Sequence, residues 1–151
     1  IFDTWGGILP YRQYQDFSLN YMKPIVKTLK EYAPHVPVIL FTKGGGQWIE
    51  SISASGCDAI GLDWTTNLGD ARSIINNRVA LQGNLNPAVL RSSPEVIRQE
   101  VKATLESYGQ GSGHIFNLGH GITPDVPPEN LEVLVDAVHE FSPAFHKEDY
   151  D

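Results

Sequence analysis

The sequence predicts an α/β fold assembled from parallel βα units, and three observations carry the prediction. Five short apolar runs, each nearly continuous rather than alternating, are bounded by Gly, Pro or Asn. Helix-period segments lie between them. Polar residues and glycines gather immediately after each run, while the runs themselves stay apolar. Continuous apolar runs suit parallel strands covered on both faces. A repeated β–α order means parallel pairing through right-handed crossovers.

In chain order, Ile1 and Phe2, with Trp5 just beyond, open the chain as a strand. Tyr14, Phe17, Met22, Ile25, Val26 and Leu29 form a broken helical stripe, and Pro24 fits as the first residue of a second helix after a short first one. Val36 to Phe41 is the second strand. Gln47 to Ser55 carries Trp48, Ile49 and Ile52 as a helix, with Gly56 as its left-handed cap. Ala59 to Leu62 is the third strand, Leu68 to Ile75 a short helix, and Val79 to Leu81 the fourth strand. The clearest helix is Pro94 to Tyr108. Ser93 caps it, Pro94 is its first residue, Ile97, Val101, Thr104, Leu105 and Tyr108 form its buried face, and Gly109 closes it. His114 to Leu118 is the fifth strand. The last helix spans about Pro128 to Phe141 with Leu131, Leu134, Val135 and Val138 inward. Residues after Ser142 read as a polar, frayed tail, so the expected organisation is one domain portion over residues 1–142 and a tail over 143–151.

Two architectures satisfy this order: an open doubly wound sheet, or part of a (β/α)8 barrel. A whole barrel takes about 250 residues, so the 151 residues here hold roughly half of one. The chain begins at Ile1, inside a strand and without a Met, which favours the half-barrel and suggests a piece of a longer protein. In either architecture ligands bind at the C-terminal ends of the strands.

Composition narrows the function classes. With 41% hydrophobic and 19% charged residues the chain can bury a core. A net charge of -7 and no basic run argue against nucleic acid and anionic membrane surfaces as partners. The single cysteine, Cys57, excludes an internal disulfide framework and a multi-cysteine metal site, and suits a reducing compartment. No apolar stretch reaches the roughly 18 residues of a membrane span, and no leader-like pattern opens the sequence.

The strand ends carry the chemistry. They read Asp3-Thr4-Trp5-Gly6-Gly7, Thr42-Lys43-Gly44-Gly45-Gly46, Asp63-Trp64-Thr65-Thr66, Gln82-Gly83-Asn84 and Asn117-Leu118-Gly119-His120-Gly121. The triple glycine matches neither phosphate-loop spacing. It is read as a tight βα turn, with an anion contact through its backbone N–H groups as the alternative. His120, between two glycines, is presented to the open face with donor and acceptor capacity near neutral pH, and is read as functional. His114 starts the same strand at its other end and is read as structural, while His35, His139 and His146 read as loop or helix-surface residues. Asp63 is open between orienting a substrate and capping the next helix. No His or Cys spacing suits a metal.

Taken together, FDTWGG, LFTKGGGQW, GCDAIGLDWTT, VALQGNLNP and HIFNLGHGITPDVPPE, in this order and spacing, resemble the C-terminal part of bacterial uroporphyrinogen decarboxylases. The resemblance covers the chain to about Ser142. It implies a (β/α)8 barrel, a cytoplasmic homodimer of tetrapyrrole (haem) biosynthesis, that removes the carboxyl groups of the four acetate side chains of uroporphyrinogen III to give coproporphyrinogen III. It implies neither a metal nor an organic cofactor, because a protonated pyrrole of the substrate accepts the electrons released with carbon dioxide. Carried over by motif, Thr4 of FDTW is a substrate-binding hydroxyl. His120 of NLGHG is a substrate-binding and catalytic residue on the carboxylate side of the macrocycle. The family's arginine-rich loop, central aspartate and active-site tyrosine belong to an N-terminal half that this sequence does not include, so the chain by itself is expected to be inactive. Asn86 stands where the family often has Asp in GNLDP. A related superfamily, the zinc- and corrinoid-linked methyltransferases, carries H-x-C where this chain has Phe41 and Lys43, and a further Cys in the turn that here reads Gly119-His120-Gly121. That chemistry, and a non-catalytic barrel-fragment module, are the alternative readings.

Overall fold

The computed structural model describes residues 1–146, and in it five strands form one parallel sheet in the order β1 (Phe2–Asp3), β2 (Ile39–Thr42), β3 (Ala59–Gly61), β4 (Ala80–Leu85) and β5 (His114–Leu118). Pairing of consecutive strands without reordering is the topology of a barrel wall; a doubly wound sheet reverses its strand order at a switch point. The chain is an arc of a (β/α)8 barrel.

The register sorts the strand residues into two faces. Leu40, Ile60, Leu81 and His114 lie side by side on one face, and Phe2, Phe41, Gly61, Gln82 and Ile115 on the other. Leu40, Ile60, Leu81 and Leu85 are buried on the helix side, and a one-residue slip of a strand would turn them outward. At about 1.5–3 kcal/mol per fully buried aliphatic side chain, four such reversals equal the whole stability of an ordinary domain, about 5–15 kcal/mol. The opposite face is covered only in part: Phe2 is 83% exposed and Ile115 43%. The strands were expected to be covered on both faces, and within this chain only the helix side is.

The helices are α1 (Tyr11–Tyr14), α2 (Asn20–Tyr32), α3 (Ile49–Ser53), α4 (Leu68–Ile75), α5 (Pro94–Tyr108) and α6 (Pro128–Phe141). The ranges of α4, α5, α6 and β5 agree with the sequence reading. The first helical segment does not. A π-helical turn, Gln15–Leu19, joins α1 to α2 without a break, and Pro24 lies inside α2 rather than at its start. Proline removes a hydrogen bond to the carbonyl four residues back. That acceptor is Asn20, at the junction where π bonding gives way to α, and the ring faces solvent. The wider π turn also shifts the phase of the stripe. The buried positions become Tyr14, Leu19, Met22 and Val26, while Phe17, Ile25 and Leu29, expected inward, are exposed.

Smaller differences have local causes. β2 starts at Ile39 because Val36 is exposed and Pro37 has no N–H for the ladder. β4 runs on to Leu85 because it pairs with all of β5. Ser93 occupies the cap position of α5 without a side-chain capping bond. On α6, Val135 is exposed and Ala137 takes the buried place. The expected fraying after Ser142 is absent as far as His146. Ser142–Ala144 form a 3-10 turn, Phe145 packs on the α5/α6 cluster, and the His146 ring Nδ1 lies 2.9 Å from the Gly111 carbonyl oxygen. The rest of the expected tail, 147–151, lies outside the described residues. Among the described residues no helix is long and apolar enough to cross a membrane.

Candidate active site at the strand ends

The sheet curves enough to bring its two edges to one cavity. Phe41 of β2 and His120 after β5 stand three strand intervals apart, about 14 Å at the usual strand spacing, yet their rings approach edge-on with centroids 6.2 Å apart. The cavity between them measures about 500 Å³. Its floor is apolar, built by Phe2, Phe41 and Leu118, with Phe2 edge-on to Phe41 at 5.9 Å. Thr4, Gln82 and His120 supply polar groups. Thr4 follows the first strand and His120 the last, so residues 116 positions apart in sequence share one wall. The two residues singled out from the sequence are thus brought together.

The loop that carries His120 is placed by close packing. A Cβ on Gly119 would lie 2.6 Å from the Trp64 backbone nitrogen, so only glycine lets the turn after β5 reach the turn after β3. Gly119 N also donates to the Leu85 carbonyl at 2.7 Å, which extends the β4–β5 ladder to the residue before His120.

Asp63 settles the question left open about it. It is only 3% exposed. Its carboxylate accepts hydrogen bonds from Gly44 N, from Thr65 N at 2.8 Å and from Thr65 Oγ1 at 2.5 Å. It therefore ties the loops after β2 and β3 together and has no acceptor turned to a ligand. The same bonds answer the triple-glycine question. Gly44 adopts a left-handed φ of 73° and points its N–H at a carboxylate, and that carboxylate belongs to the chain itself. Asp3 is engaged in a similar way by Gly6 N at 2.7 Å and by the Ser18 hydroxyl.

Sequence reasoning placed Asn84 at a strand end but gave it no role. Its amide donates to the Asp63 carbonyl at 2.8 Å and to the Thr66 carbonyl at 2.5 Å, which fixes the β3 loop from β4. It also missed Phe41 as cavity floor. Alternation along β2, counted from the buried Leu40, is the signal that identifies it. Asn86 takes a local role: its side-chain oxygen caps the 3-10 turn Pro87–Arg91 through Ala88 N at 3.0 Å, which an aspartate does equally well.

His114 is structural, as read. It stacks on Tyr108 at 4.6 Å, and its Nε2 lies 2.8 Å from the Gly83 carbonyl oxygen. Burial holds its pKa below the ordinary histidine value, only partly offset by that hydrogen bond, and the neighbouring His146 and Arg72 act in the same direction as burial. Cys57 is buried on the helix side and donates to the Ile52 carbonyl, away from the cavity.

Comparison with known proteins agrees with this architecture. The family model described as Uroporphyrinogen decarboxylase (URO-D) matches residues 1–141. A uroporphyrinogen decarboxylase of Legionella pneumophila is 60% identical over 146 residues, covering 97% of this chain and 42% of that protein. One of Pseudoalteromonas translucida is 60% identical over 149 residues with the same coverage. The chain therefore spans about 42% of the length of these curated relatives. Among solved structures, a methyltransferase from Methanosarcina mazei superposes with a TM-score of 0.78 at 21% identity, covering 94% of this chain and 41% of that one. At that identity the likeness concerns the fold.

Proposed function

We propose that this chain, which belongs to the uroporphyrinogen decarboxylase family, supplies the C-terminal part of the active site of an enzyme that converts uroporphyrinogen III to coproporphyrinogen III. The observation that carries the reading is the convergence of Thr4 and His120 on one apolar-floored cavity at the strand ends. Each decarboxylation takes –CH2–COO⁻ plus one proton to –CH3 plus carbon dioxide. The C–CO2 bond electrons pass into a protonated pyrrole, so the reaction needs a held macrocycle and a proton delivered to the methylene carbon. Phe2 and Phe41 offer apolar surface to the macrocycle. The Thr4 hydroxyl binds it, and His120 binds its carboxylate side and takes part in proton movement.

Residues 1–142 form a portion of a single barrel domain, and the protein acts in the cytoplasm as a homodimer without metal or organic cofactor. The net charge of -7 leaves an octacarboxylate to be neutralised mainly by cations outside this chain, so the chain alone is inactive. The zinc- and corrinoid-linked methyltransferase reading finds no thiolate at the cavity, since the single cysteine is on the other side of the sheet.

The test is an anaerobic assay with uroporphyrinogen III, run on this chain and on a protein carrying it together with the family's N-terminal half. The products are oxidised and sorted by carboxyl number. Carboxyl loss with the longer protein alone is the expected result. No loss with either overturns the decarboxylase reading and leaves a non-catalytic barrel module.

A further inference from the structure

Lys43 follows the last residue of β2, and its N–H still donates to the Asp3 carbonyl at 3.0 Å. The ladder with β1 therefore persists to this position, and strand alternation holds there. Leu40 and Thr42 are buried on the helix side, so Lys43 takes the next place on the face of Phe41. On that face it stands beside Thr4, through the Asp3–Thr42 register.

The ammonium has no ion pair among the described residues, although acidic residues outnumber basic ones by 18 to 11. Supply is not the reason. The acids nearest in register, Asp3 and Asp63, are spent on the backbone and hydroxyl donors described above. The Lys43 Nζ instead lies 5.8 Å from the centroid of the Trp64 ring, a contact that orients a cation while leaving its donors available. Trp64 belongs to the turn that Asp63 and Gly119 hold in place.

We propose that Lys43 is a carboxylate-binding residue at the rim of the cavity, receiving one peripheral acid group of a ligand whose apolar body rests on Phe2 and Phe41. The assignment rests on the polycarboxylate substrate proposed above. It makes Lys43 a substrate contact that this half of the barrel contributes in addition to Thr4 and His120.

The test uses the longer protein and two readouts: fluorescence titration with uroporphyrin, the stable oxidised octacarboxylate, and kcat/KM with uroporphyrinogen III. Lys43→Met is expected to weaken uroporphyrin binding by about tenfold, the scale of one charge-assisted hydrogen bond. It is expected to lower kcat/KM mainly through KM, and to flatten the salt dependence of binding. Lys43→Arg is expected to recover most of both, and Lys23→Met, on the outer surface of α2, to change neither. Wild-type affinity in a normally melting Lys43→Met protein overturns the proposal. Should Lys43→Met melt early, Lys43→Gln against Lys43→Arg decides, because only Arg keeps the charge; equal affinities overturn the proposal. A wild-type protein that binds uroporphyrin through Lys43 but decarboxylates nothing refutes the proposed reaction and supports the carboxylate site. A wild-type protein that does not bind uroporphyrin overturns the site itself.

Discussion

Two histidines mark opposite ends of strand β5, and their surroundings differ in kind. At the lower end His114 is half-buried, stacked on Tyr108 and bonded to the Gly83 carbonyl. At the upper end His120 is exposed beside the cavity, its ring set edge-on to Phe41. The upper end holds its loops through Asp63, Asn84 and Gly119 and leaves Thr4 and His120 turned to the cavity. The contrast teaches that one end of the sheet is built for stability and the other for presentation, and that the groups anchoring the upper loops are distinct from the groups they present.

The strongest challenge to that division is Asp63→Ala. It strands the Gly44 and Thr65 N–H groups in a buried place and is expected to cost about 3 kcal/mol in urea denaturation of the longer protein, given about 1–3 kcal/mol for a buried unmet polar group. Stability equal to wild type would show the upper loops to be held by something else. Next is His120→Asn, expected to lower kcat by about 100-fold, within the usual range for a positioned acid or base, while the melting temperature stays put. A wild-type rate and an unchanged spread of partly decarboxylated products would remove His120 from the chemistry. Thr4→Val should weaken substrate binding by about 1–3 kcal/mol, read as a raised KM. Unchanged kcat and KM would make Thr4 part of the scaffold.

The smallest effect belongs to the lower end. The folded-state pKa of His114 is depressed, so below the unfolded value, about 6.5, the unfolded chain binds more protons and stability falls as pH drops towards the folded pKa. Above that value the group makes no pH-dependent difference. His114→Gln should flatten the fall of the urea midpoint below about pH 6.5, and an unchanged slope would locate the acid sensitivity elsewhere.

How much of this was legible in the sequence depended on how local the signal is. The helix α5 and strand β5 were readable to the residue because caps, glycines and periodicity lie within a few positions of each boundary. The stripe of α1 and α2 was misread because a π turn inserts one extra residue per turn, and no composition cue at Gln15–Leu19 announces it. Asp63 was ambiguous for another reason. Its partners Gly44 and Thr65 lie on two different loops, and only their juxtaposition consumes the carboxylate.

The sequence by itself determined the β–α order, the polar strand ends and the place of His120 at one of them, because hydrophobic period and turn chemistry are properties of neighbouring residues. The tertiary structure decided the curvature that brings Thr4 to His120, the spending of Asp3 and Asp63 on the loops, and with it a Lys43 ammonium that has no ion pair among the described residues. Each of these depends on which groups meet across strands, and the distance between strand ends is set by sheet curvature and loop packing rather than by separation along the chain.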